Sequence, residues 1–189
     1  MRHWRETVRG GSELALLGFA MTLAALPVVT AGAAVGTASA AVHHWCQHNE
    51  LPPYRTLGRW FVRALVPGLG ATGIAVAATV VLAVDLWAAA GNRIPGAPVV
   101  LALTAVLAAL ATGAAALVVV RVGATEGRHW RAALRRAGTP GHRSLPTVPA
   151  LAGVVALAAL LGSLLPAAVP LIAVTALFAA HVATRRLAG

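Results

Sequence analysis

Lysine is absent from this chain, acids number only five, and cysteine occurs once, at Cys46. Charged residues make up 11% of the total, against about 25% in soluble domains. A chain of 189 residues this poor in charge cannot cover a water-facing globule. The single cysteine excludes an intrachain disulfide. Paired carboxylates, a phosphate-binding GxxxxGK[ST] loop and a GxSxG nucleophile elbow are all missing, so the motifs of common hydrolases and nucleotide enzymes are not available, and no enzyme is expected. Aromatics are scarce as well, at 5%.

What is abundant is alanine, valine and leucine in long runs. Hydrophobic residues reach 59% and mean hydropathy is +0.80. Residues 98–120 contain no charge at all, and about 18 such residues suffice to propose a membrane helix. The composition predicts one all-α, polytopic helical membrane protein over 1–189, with five to six membrane segments and amphipathic cytoplasmic helices. The segments expected are a short hairpin within 4–48, an interfacial helix at 52–65, spans at 67–90, 98–120, 148–165 and 167–182, and a basic cytoplasmic loop at 121–147.

Charge decides between five crossings and six. All 15 basic residues are Arg, giving a net charge of +10. If residues 14–42 cross once, 11 Arg lie on one side and 4 on the other. If Pro27 to Gly32 form a turn, Arg2, Arg5 and Arg9 join the majority and the division becomes 14 against Arg93 alone. The positive-inside bias favours the hairpin, with both termini cytoplasmic at the plasma membrane. Trp4, Trp45, Trp60 and Trp130 then fall at cytoplasmic ends and Trp87 near an outer end, where indole rings prefer to sit. The first 33 residues imitate a secretory signal, but its removal would place the six Arg of 121–143 outside, against the same bias. The Arg excess is read as membrane topology rather than as a nucleic-acid surface.

Two Arg stripes stand out. Arg55, Arg59 and Arg63 recur at helical spacing opposite Leu57, Trp60, Phe61 and Ala64. Arg128, Arg131 and Arg135 do so opposite Trp130, Ala133 and Leu134. Such helices lie along a membrane and hold anionic lipid or a partner. Gly68, Gly70 and Gly73 match GxGxxG, yet the preceding residues read as an amphipathic helix and not a strand, so no nucleotide is expected there. Those glycines, with Gly32 and Gly36, are expected to let helices approach closely. Asp85 is the one acid inside an apolar run, with Arg93 across a short turn as its expected partner. With Thr30 in the 27–32 turn it could line the path of a small solute transporter or channel, the alternative reading. His44, Cys46 and His48 are spaced for a metal on a helix face, but no second ligand group accompanies them, and neither metal nor cofactor is expected.

The run "LPVVTAGAAVGTASAAV" (26–42) carries a motif L-P-x-x-T-x-G-A-A on Leu26, Pro27, Thr30, Gly32, Ala33 and Ala34. It resembles the YesL-like family of bacterial membrane proteins. "YRTLGRWFVRAL" and "VLAVDL" are similar to the family's next segments, on which Arg55, Trp60, Arg63 and Asp85 fall. Where the family often has Lys or Arg after the Thr-Gly motif, His43 and His44 stand here. The resemblance implies a non-enzymatic accessory to carbohydrate uptake by a membrane transporter, docking through its cytoplasmic Arg.

Overall fold

A computed structural model describes residues 2–90, 97–125, 130, 132, 133, 135 and 146–188. Among them every regular element is helical. The order is α1 (Arg2–Ala25), a 3-10 turn (Val28–Thr30), α2 (Ala31–His48), α3 (Tyr54–Ala90), α4 (Ala97–Gly123), α5 (Thr147–Leu164), a second 3-10 turn (Pro166–Ala168) and α6 (Val169–Ala188). Four stretches are long and apolar enough to cross a membrane: Tyr54–Asp85, Pro98–Gly123, Thr147–Leu164 and Pro166–Leu187. They are compatible with a multi-pass membrane protein. Gly10–Ala25 is a shorter apolar helix.

Prolines set the breaks. Pro27 has no N–H to continue α1 and disfavours helix at Leu26 before it. The Thr30 hydroxyl then donates to Ala24 O at 2.6 Å and Pro27 O at 2.8 Å. It thereby occupies a carbonyl that the end of α1 leaves without a backbone donor. At its other end α2 stops on Asn49, which is left-handed at φ 59° and donates its N–H to Trp45 O at 2.8 Å. Asn tolerates that conformation through its short polar side chain, and this is a common way to end a helix. Pro52 and Pro53 follow, and Pro53 O accepts from the N–H groups of Thr56 and Leu57 as α3 begins.

The interfacial helix expected over 52–65 and the span expected from 67 are one element. Helix α3 runs for 37 residues straight through Pro67, although the ring removes the donor that Arg63 O would have used. At 1.5 Å per residue it is about 55 Å long, well beyond a ~30 Å hydrocarbon core. Residues 121–123, expected in the basic loop, extend α4, and α6 continues past 182 to Ala188.

Helix α2 is the inner helix. It packs against α1, α3, α4 and α6, while α5 leans on α4 and α6. From Ala33 to Val42 every residue but Val35 is buried. Most are Ala, Gly, Ser or Thr, side chains small enough for four neighbours to converge. Helix α3 shows the reverse: residues 73–81 are exposed on all sides and nearly all apolar, with Ile74 66% and Val81 59% accessible. A helix apolar all round belongs in lipid or inside a large core. One consequence is testable at Asn49. Asn49→Val is expected to lower stability in detergent by about 1–2 kcal/mol, because a β-branched residue resists the left-handed region. Asn49→Gly should leave the melting temperature unchanged within error.

Candidate functional site

A close backbone junction joins the start of α2 to α3. The N–H of Gly32, a donor with no partner inside its own helix, bonds Thr72 Oγ1 at 2.9 Å. Gly32 and Gly68 meet main chain against main chain. A Cβ on Gly32 would overlap Gly68 O, and one on Gly68 would lie 2.6 Å from Ala33 N. Gly36 lies under the Trp130 ring, where an added Cβ would come 3.0 Å from Cζ2. Gly70 and Gly73 differ: nothing lies within 4 Å of a Cβ built on either. Both point out of α3, away from α2, so the packing role expected of them is absent here.

Three close approaches carry no motif in the sequence. Gly18 of α1 faces Pro170 O of α6, Gly113 of α4 faces Val148 O of α5, and Gly123 of α4 faces Ser39 of α2. Ser39 Oγ also donates to Val119 O at 2.8 Å, tying α2 to α4. The signal is a lone Gly amid Ala, which this composition repeats everywhere. Trp130 too lies deeper than the rim position expected for it. It is 7% exposed and packs among Val118, Val122, Ala133 and Ala71.

The first Arg stripe is laid out plainly. Arg55, Arg59 and Arg63 are exposed, while Trp60 and Ala64 are buried. Trp60 reaches the end of α2, 6.5 Å from the His44 ring, and Leu57 packs beside Leu51 on the cluster around Val42 and Val174. Arg55 lies over the Tyr54 ring at 5.9 Å, within cation–π range. On the second stripe, Arg135 is exposed, and Trp130 and Ala133 are buried; Arg128 and Arg131 lie outside the described residues. Arg185 of α6 joins this end of the bundle through its bond to Cys46 O at 3.3 Å.

The polar path fares differently. The Thr30 hydroxyl is occupied within its own turn. Asp85 is exposed on α3, about 20 Å along the axis, at 1.5 Å per residue, from Thr72, which bonds Gly32 two residues after Thr30; Asp85 thus lies well away from the Thr30 turn. Arg93 lies outside the described residues. A cleft of about 360 Å³ between α4 and α5 is lined by Val106, Leu110, Pro149 and Ala156 among others, all apolar; it offers no group to bind a polar solute.

The histidines are brought together by pairs. His44 and His48 stack at 4.3 Å. Their Nδ1 atoms donate to Glu50 O at 3.1 Å and to His44 O at 3.2 Å, respectively. Cys46 packs on the same core cluster as Leu177 and Phe178 of α6. Among the described residues no group of three His, Cys, Asp or Glu could hold a metal.

Comparison with protein-family models, with curated proteins and with solved structures finds no match for this chain. The geometry itself makes two predictions. Gly68→Leu is expected to destabilise the protein by about 3 kcal/mol or more, since the displaced neighbour is backbone, whereas Gly70→Leu two residues away is expected to cost less than about 1 kcal/mol; melting in detergent compares them directly. Thr72→Val, which leaves the Gly32 N–H without an acceptor, is expected to cost about 1–3 kcal/mol.

Proposed function

We propose that the chain is a six-segment membrane protein with both termini at the cytoplasmic face, and that it serves as a non-enzymatic accessory to a membrane transporter. The observation that carries the reading is the exposed stripe of Arg55, Arg59 and Arg63 on a helix whose other side, through Trp60 and Ala64, is held in the bundle. A helix so held presents these guanidinium groups outward, and each near an anionic surface contributes about 1 kcal/mol. Arg135, Arg185 and Arg186 are exposed as well. The α1–α2 pair, joined by a turn at 26–30, supports a hairpin rather than a single crossing. In that arrangement the inner helix α2 ends among the same Arg residues. The resemblance of residues 26–42 to YesL-like proteins supports a carbohydrate transporter as the partner, with anionic lipid as the other surface the stripe contacts.

The transporter or channel reading draws less support. Asp85 lies well along α3 from the turn that holds Thr30, and the buried positions of α2 are mostly Ala, with Thr37 and Ser39 among them.

The membrane part is tested by alkaline carbonate extraction together with activity reporters fused at residues 1 and 189. The protein should stay in the pellet, with both reporters active only inside; release into the wash, or an external reporter signal, would refute it. The docking part is tested by reversing Arg55, Arg59 and Arg63 to Glu. Recovery of the transporter in mild-detergent pull-down from native membranes is expected to fall on the order of tenfold or more on the scale of ~1 kcal/mol per Arg. The membrane level of the variant itself should be unchanged. Undiminished recovery would remove the stripe from docking.

A further inference from the structure

Where the end of α2 meets α6, two imidazoles face one another. The His43 and His181 rings lie 5.8 Å apart with planes inclined at 49°. His181 is 2% exposed. Its Nδ1 is 2.9 Å from Leu177 O, and a carbonyl can only accept, so Nδ1 carries the hydrogen. That leaves Nε2 as a bare lone pair, and this atom is buried without a hydrogen-bond partner. The Gln47 amide donates to His43 Nε2 at 3.0 Å, which gives His43 the matching neutral tautomer. Arg185, one turn beyond His181, donates to Cys46 O across the same contact.

We propose that the His43–His181 contact is a proton-operated latch between α2 and α6, closed while His181 is neutral and loosened when Nε2 takes up a proton. This does not depend on what the Arg stripe docks to. Protonation adds an N–H where no acceptor stands and a positive charge beside His43 and Arg185. A buried charge without a partner is among the costliest things a fold can hold.

Among the described residues, the groups packed around it are mostly cationic or neutral. Helix α6 supplies Arg185 and Arg186, and α2 supplies His43, His44, Cys46 and His48. Helix α4 brings Arg121, whose Nη1 is itself buried without a partner. Helix α5 has no titratable residue between Thr147 and Leu164. From α1 comes Glu13, which is itself engaged in an interaction, next to Leu14, which packs on the same cluster as Cys46. The latch therefore holds while Nε2 is unprotonated and gives way as the pH falls far enough to protonate it.

Cys46 is the built-in reporter. It is the chain's single cysteine, partly buried, and packs on the cluster that includes Val174 of α6, as do Leu177 and Phe178. In proteoliposomes its modification by 4,4′-dithiodipyridine is measured at about pH 7.5 and about pH 5.5. Each rate is divided by that of the same protein denatured in SDS at the same pH, which cancels the reagent's own pH dependence. The normalised rate is expected to rise severalfold at the lower pH in the native sequence. His181→Phe, which keeps the bulk and removes both nitrogens, and His181→Gln are expected to hold it at the higher-pH value. A flat native profile would overturn the latch, as would a rise that persists in the His181 variants. Should those variants fail to fold, His43→Gln decides: the midpoint is expected to move, and a midpoint equal to the native one would overturn the pairing.

Discussion

The main-chain contact between Gly32 and Gly68 is the constraint on which the rest of the bundle depends. It exists because neither residue has a Cβ, and it is fastened by a single hydrogen bond from the Gly32 N–H to Thr72. With α2 held that close to α3, the remaining faces of α2 are near enough for α1, α4 and α6 to close over Ala38, Ala40 and Ala41. Apolar burial offers little reason for helices to associate once they are in lipid, where the surroundings are as apolar as the core. Close approach and hydrogen bonding take its place, and α2 is built for both. The price is a helix of low hydropathy that suits an interior position better than a lipid-facing one.

The same logic explains why polar side chains appear where they do. Thr30, Ser39 and Thr72 each satisfy a backbone group at a helix end or across a helix pair. None is aimed at a solute. Read this way, the L-P-x-x-T-x-G-A-A motif is a recipe for a turn and a landing. Pro27 ends one helix and Thr30 occupies its loose carbonyl. Gly32 and Ala33 then lay the next helix against α3.

Much of this was legible in the residues themselves. Pro27 and Gly32 marked a break in the first apolar stretch, and a turn lies at 26–30. The i, i+4, i+8 spacing of Arg55, Arg59 and Arg63 set them on one side of a helix, where all three are exposed. Other features were hidden for physical reasons. Proline is tolerated inside a helix when its neighbours compensate, so Pro67 did not separate two elements as its residue type suggested. In a chain with 19 glycines, only three-dimensional packing distinguishes Gly68, pressed on Ala33, from Gly70, facing outward. The meeting of His43 with His181 joins residues on α2 and α6, a distance along the chain that no local pattern spans.

The claim most open to direct attack is that α2 is an interior helix within a lipid-exposed bundle. Reconstituted protein can be photolabelled with a hydrocarbon-soluble carbene precursor and the modified positions mapped by peptide mass spectrometry. Adducts should concentrate on residues 74–84 of α3 and 99–110 of α4, with residues 33–42 essentially unmodified. Labelling of 33–42 at the level seen on α3 would show α2 facing lipid and contradict the architecture described.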